Sequence, residues 1–157
     1  MLAPMTLLDT FRPLIDAAKD LDLSAPDLAR DRLYSRFDPR GRAAQALNGK
    51  LVELLDQGRI AERGELPVKF GRVAKATADS DEFSIDVVHM NGPGPHHAHP
   101  EGEVNYCLAL EGEPRFDGHS PGWVVMPPGS AHVPTVHGGR MLIVYLLPHG
   151  RIEFTKT

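Results

Sequence analysis

Apolar residues early in the chain recur at helical spacing, whereas later ones fall in short runs set off by turn residues. Leu7, Leu8, Phe11, Leu14, Ile15 and Ala18 follow Thr6 on one helical face, and Thr6-x-x-Asp9 supplies a capping pair, which predicts an amphipathic helix. A second helix is expected to begin near Ser24 or Pro26, to bury Leu28, Leu33 and Phe37, and to stop before Pro39, because proline drives its predecessor out of helical geometry. The third is expected from about Arg42 to Gln57, with Ala46, Leu47, Leu51, Leu54 and Leu55 as its apolar stripe and Gly58 as its stop.

From Val68 onward the pattern changes to short β-rich runs between Gly, Pro, Asn and Asp. Strands are expected at Val68 to Lys75, Phe83 to Met90, His96 to His99, Glu103 to Leu110, Pro114 to Phe116, Gly122 to Met126, Thr135 to Val136, Arg140 to Leu147 and Arg151 to Phe154. This is the texture of a mainly β protein, an antiparallel β-barrel or jelly roll preceded by about three helices. Residues 1–65 form the expected helical segment, packing on the barrel or on a dimer partner, and residues 66–157 the barrel, the two making one structural unit. The length of 157 residues fits a single domain able to bury a sizeable core.

Charge and composition narrow the partners. A formal net charge of −4 with no clustered run of Lys and Arg points away from nucleic acid, whose phosphates need a basic stripe. The longest apolar run, Met141 to Leu147, falls far short of the roughly 20 residues that cross a bilayer. The amino terminus carries no basic segment leading into an apolar stretch, so a cytoplasmic location is expected. Cys107 is the single cysteine and cannot form an internal disulfide. It shares the parity of Glu103, either facing the same cavity or serving as a small buried thiol.

The chemistry concentrates in two segments. In His97-Ala98-His99-Pro100-Glu101-Gly102-Glu103, the period of an extended strand puts His97 and His99 on one face, with His96 on the other. Pro100 and Gly102 then turn the chain, so that Glu103 can return a carboxylate from the next strand, with Glu101 as its substitute. The second segment runs from Gly122 through Pro127-x-Gly129 to His132. His89, His119, His137 and His149 read as solvated or locally hydrogen-bonded residues. Both segments resemble the two cupin motifs, although eight residues separate Glu103 from Gly112, two more than the first motif usually has. A centre of His97, His99, His132 and Glu103 suits a divalent transition metal, Fe, Mn, Zn, Ni or Co, which could polarise a bound oxygen or lower the pKa of water.

The neighbouring residues resemble one family more closely. Phe83 to Val88, Gly94 to Glu103, Arg115-Phe116-Asp117-Gly118, Gly122 to Val125, Pro128 to Val136, Gly138-Gly139-Arg140 and Tyr145-Leu146-Leu147-Pro148 look like the 4-hydroxylaminobenzoate lyase family over roughly residues 68–154, with the helices matching loosely. The resemblance implies conversion of 4-hydroxylaminobenzoate and water to 3,4-dihydroxybenzoate and ammonia, in nitroaromatic degradation. General acid and base help would come from Glu101, Glu103 or Tyr145. A small aromatic carboxylate needs a cation, for which Arg72, Arg115 and Arg140 are candidates, while Asn105 shares the parity of Glu103 and lines the cavity. Phe116 and Trp123 are available for ring stacking or for the core. A dioxygenase acting on an aromatic substrate and a non-enzymatic cupin that binds a small acid are the competing readings. A homodimer is expected, because edge strands need cover.

Overall fold

The computed structural model describes residues 6–155. Its first four elements are helices: α1 (Leu7–Thr10), α2 (Arg12–Ala18), α3 (Pro26–Arg36) and α4 (Arg42–Asp56). Thr6 caps α1 through the expected reciprocal bonds with Asp9. The predicted first helix is broken at Phe11, with Pro13 in the opening turn of α2. Proline has no N–H to donate to the preceding turn, so the chain ends one helix and starts another. Two further expectations fail: Leu28 is exposed and so is Ala46, the stripe of α4 being Ala44, Leu47, Leu51 and Leu54. Four residues spaced 3, 4 and 3 apart stay on one line of a helix, and Ala46 lies off it.

The strands are β1 (Arg63–Glu65), β2 (Val68–Ala74), β3 (Phe83–Met90), β4 (His97–His99), β5 (Glu103–Phe116), β6 (Gly122–Met126), β7 (Ser130–His132), β8 (Val136–Pro148) and β9 (Glu153–Phe154). They form two antiparallel sheets, ordered β1-β2-β3-β8-β5-β6 and β7-β4-β9, in a jelly-roll arrangement. The runs read as separate strands around Pro114 and Arg140 belong to the long β5 and β8, whose pairing slips between Ala109 and Glu111 and between Gly112 and Arg115. These irregularities let two long strands bend together, and a local reading takes each bend for an end. Strands β1 and β7 are too short and polar to show as apolar runs.

One face of the large sheet carries Ile85, Val87, Val104, Tyr106, Trp123, Leu142, Val144 and Leu146, which share a core with Phe11, Leu14, Ile15, Leu33, Leu51 and Leu54 of the helices. The other face carries Val88, Met90, Cys107, Met141, Ile143 and Tyr145, joined by Phe116 and Val136 in a second core. The run Met141 to Leu147 is buried throughout because β8 is central and covered on both faces. Buried polar groups tie the helices down: Trp123 Nε1 donates to Phe37 O at 2.9 Å, and Tyr106 Oη donates to Asn48 Oδ1 at 2.8 Å. Arg36 Nη1 donates to the carbonyls of Ala17 (3.0 Å) and Lys19 (2.9 Å), which close the end of α2.

The Tyr106 contact has a pH signature. Burial pushes the Tyr106 hydroxyl up to about 12, and burial moves Tyr145 in the same direction. An unfolded tyrosine ionises near pH 10 (about 10 in model peptides), so the folded state holds the proton more tightly. The contribution is present in full below about pH 10 and is lost as pH rises toward about 12. The free energy of urea unfolding is expected to fall over that window, and Tyr106→Phe should remove roughly 2–3 kcal/mol of the fall. An equally steep fall in the variant would contradict the assignment.

Candidate metal centre

Strand β4 is three residues long, and its alternation buries both His97 (2% exposed) and His99 (0%) toward the second core. A turn closed by Gly102 N–H to His99 O at 3.1 Å reverses the chain. Gly102 has φ +90°, and a Cβ there would lie 2.9 Å from Leu23 Cδ1 and 2.9 Å from Met126 O, so the turn requires glycine. Glu103 therefore opens β5 with a fully buried carboxylate. Strand β7 pairs with β4 so that His132 lies directly opposite His97. The four side chains offer ligand atoms that all lie within 4.8 Å of one another.

The hydrogen-bond network assigns the tautomer of each imidazole. His97 Nδ1 faces Pro95 O at 3.2 Å, an acceptor only. His132 Nδ1 faces the Asp117 carboxylate, whose second oxygen accepts from Thr135 N–H at 2.8 Å. His99 Nδ1 faces Ser130 Oγ at 2.9 Å, and that hydroxyl already donates to Pro127 O at 2.6 Å, so it must accept from the histidine. All three protons are thus placed on Nδ1, and all three Nε2 lone pairs point inward. His97 Nε2 and His132 Nε2 are 3.1 Å apart, and Glu103 oxygens lie 3.2 Å from His99 Nε2, 3.6 Å from His97 Nε2 and 3.9 Å from His132 Nε2. His99 Nε2 and Glu103 Oε1 are buried with no hydrogen-bond partner. Three lone pairs and a carboxylate aimed at one point repel one another unless a cation sits there, so the donor set fits a divalent metal.

Electrostatics at Glu103 agree. Burial alone would raise its carboxyl, but the contacts with His97 and His99, the charge on His99 and the Asn105 amide hold it down to about 2. Glu103 is therefore ionised and presents an anionic oxygen at the point of convergence. Asn105 Nδ2 donates to Glu103 Oε2 at 2.9 Å and leaves Oε1 free.

The other site residues expected from sequence divide into those brought to this face and those held elsewhere. Tyr145 lies on it, its ring 6.4 Å from that of His97 and its hydroxyl directed at Met90 Sδ, 3.9 Å away. Phe116 sits 6.1 Å from His132, whereas Trp123 belongs to the helix side. Arg72 is opposite Asp86, which is opposite Tyr145, so this row shares the face of Asn105 and Glu103. Glu101 is outside the centre: its carboxylate is held by His149 Nδ1 at 2.8 Å and Arg151 Nε at 3.5 Å. Glu101 lies two residues before Glu103, still inside the turn, and the turn sends it outward. Arg115 reaches only Gly118 O, at 3.3 Å, and Arg140 is engaged by Glu111 and by the buried His89. A cleft of about 680 Å³ bordered by Tyr34, Asn48, Tyr106 and Gly122 includes none of the four ligands.

Asp117 and Ser130 are the site residues that sequence reasoning passed over. Asp117-Gly118 is a hairpin dipeptide, both residues at positive φ, and that turn chemistry hides the second use of the carboxylate. Asp117→Asn removes the charge behind His132 and is expected to weaken metal binding about tenfold. Competition with a chelating dye measures it, and unchanged affinity would remove Asp117 from the site.

A two-sheet jelly roll that gathers three histidines and a glutamate from β4, β5 and β7 defines a cupin-type metal-binding protein. Residues 11–154 match the sequence profile of the PnbB 4-hydroxylaminobenzoate lyase family. The chain belongs to that family. It is 33% identical over 167 aligned residues to the 4-hydroxylaminobenzoate lyase of Nocardioides sp. (strain LMS-CY), covering 100% of this chain and 98% of that one. It is 30% identical to the enzyme of the same name from Pseudomonas putida, over 78% of this chain and 80% of that one. Among solved structures it is similar to an RmlC-like cupin from Ralstonia eutropha, with 13% identity, TM-score 0.42, and 59% and 62% of the two chains covered. No helix of the described residues is long and apolar enough to cross a membrane.

Proposed function

We propose that this protein converts 4-hydroxylaminobenzoate and water to 3,4-dihydroxybenzoate and ammonia, with a divalent transition metal held by His97, His99, Glu103 and His132. The observation that carries the reading is the convergence of four ligand atoms with every Nε2 lone pair turned inward, in a chain of that family. A metal in this position supplies Lewis acidity toward an oxygen of the substrate or of water.

The chain's own groups have separable tasks. Tyr145 stays protonated, because burial and the nearby Glu103 charge push its hydroxyl well above the ordinary range, and a thioether is a poor acceptor for its proton. It is the donor for the departing N-hydroxyl. Glu103 Oε1, left without a partner while Asn105 holds Oε2, can accept a hydrogen bond that orients water. Arg72 is clamped by Asp86 through Nε (2.9 Å) and Nη2 (3.2 Å), which leaves the Nη1 side of the guanidinium for the substrate carboxylate.

The test combines metal analysis of protein purified without chelator with an ammonia assay on 4-hydroxylaminobenzoate under anaerobic conditions. Metal-dependent ammonia release without oxygen supports the reading, while oxygen consumed in step with product would replace it with a dioxygenase. Bound metal with no turnover would leave an acid-binding cupin. A cytoplasmic homodimer working in aromatic catabolism is part of the same proposal, and sedimentation velocity tests its stoichiometry.

A further inference from the structure

Phe154 is 66% exposed, more than any other large apolar side chain among the described residues whose exposure is given. It is also the cross-strand partner of His97 in the β4–β9 pair, just as His132 is on the other side. Directly opposed residues of antiparallel strands project to the same face, so His132, His97 and Phe154 form one row pointing inward from the small sheet. The Phe154 ring stands edge-to-face against the His97 imidazole, with centroids 5.9 Å apart and planes at 66°. An aromatic ring therefore touches a metal ligand that is 2% exposed while most of its own surface faces water.

Its strand is anchored, not trailing. Thr155 N–H donates to His96 O at 3.1 Å, His96 Nδ1 contacts Thr155 Oγ1, and Glu101 binds both His149 and Arg151 just upstream. The carboxylate that sequence reasoning offered to the metal thus fastens the segment that carries Phe154. On the facing sheet, Phe70 (48% exposed) is opposite Val88 of the inner core and lies two residues before Arg72 on the same face. Aromatic surface and one open guanidinium edge accordingly lie on the inward faces of the two sheets, and the metal ligands lie deeper.

We infer that Phe154 is a specificity-determining residue: its exposed face receives the ring of a planar aromatic carboxylate whose para substituent reaches the His97, His99, Glu103 and His132 centre. The inference rests on the lyase reading for the identity of the substrate, but it concerns recognition of an aromatic ring and can fail separately. A largely exposed ring carried on a paired strand can meet a flat π-system with little ordering cost. A saturated ring of similar size gains only contact area.

The test is calorimetric binding to the metal-loaded full chain, with 4-aminobenzoate as an inert aromatic probe and cyclohexanecarboxylate as its saturated counterpart. Phe154→Ala is expected to weaken 4-aminobenzoate about tenfold and cyclohexanecarboxylate less than about threefold, with metal content unchanged, and Phe154→Tyr is expected to restore binding where Phe154→Leu does not. In turnover, Phe154→Ala should raise KM and leave kcat within about twofold, the pattern of lost uniform binding. Equal weakening of both probes, rescue by leucine, or no binding of 4-aminobenzoate by the unaltered protein each overturns the inference. So does conversion of a dimer to a monomer by Phe154→Ala, which would assign the ring to a contact between copies. Ammonia release by a protein in which Phe154→Ala changes nothing would sink this inference and leave the lyase reading standing.

Discussion

His99→Ala abolishes metal retention and turnover together, lowering the rate of ammonia release by more than about a thousandfold, since a bound metal supplies several kcal/mol of charge stabilisation. His99 is the sharpest choice because its ring is wholly buried, its Nδ1 proton is committed to Ser130, and its Nε2 has no other partner. Removing it leaves the Glu103 carboxylate buried with less compensating charge, so the centre loses both a ligand and the reason for its geometry. His97→Ala should behave in the same way. Metal analysis beside the ammonia assay decides the matter, and a metal-free variant that still turns over would end the metal mechanism. Circular dichroism guards against the trivial outcome: the second core does not depend on the His99 ring, and the sheet signal should persist.

Arg72→Ala raises KM for 4-hydroxylaminobenzoate by roughly 10- to 100-fold, in line with about 1.5–3 kcal/mol for a hydrogen-bonded charged pair. With phenylhydroxylamine, which lacks the carboxylate, the same variant should differ from the unaltered protein by less than about threefold. The contrast between the two substrates separates recognition from folding. It also separates Arg72 from Arg115 and Arg140, whose substitution should leave both KM values near their starting points. Arg72→Lys should recover part of the loss only, because an ammonium cannot serve Asp86 and a second carboxylate along two edges at once. An Arg72→Ala variant with an unchanged KM for the carboxylate substrate would move the anchor elsewhere.

The parts of the site that follow a local period were legible in the chain. His97 and His99 share a face because a strand alternates, and this holds wherever the strand is placed. A carboxylate from the turn at Pro100 and Gly102 followed, as Glu103 or its substitute Glu101, and His132 from the spacing after Gly122. The helices were legible to within a residue or two at most ends, because capping, proline and glycine act within one turn. Leu28 and Ala46 were misread because a helix face is defined by its partner, and no local pattern names the sheet that α3 and α4 cover.

The choice between Glu101 and Glu103 turned on where the chain leaves the turn and β5 begins. Nothing in composition distinguishes them; the turn sends one to the centre and the other to His149 and Arg151, which lie far along the chain. Asp117 and Ser130 were hidden for a similar reason, since each reads locally as a turn or strand-edge residue and acquires its second role only when β7 is laid beside β4. The sequence favours Arg72 only slightly, for its place near a strand middle, and the sheet separates the three arginines: Arg72 falls in the row of Asp86, Tyr145 and Asn105, while Arg115 and Arg140 lie among the slips of β5 and β8.

By itself, the sequence determined a helical segment leading into an antiparallel β fold, two histidines on one strand face, a third on a later turn and a carboxylate between them. Those features depend on dihedral preference and on periods of two and 3.6, which a chain carries locally. The tertiary structure decided which carboxylate closes the centre, which nitrogen of each imidazole bears the proton, which arginine shares the sheet face of Asn105 and Glu103, and that Phe154 stands beside His97. Each of these is a contact between strands distant in sequence, set by how two sheets register against each other.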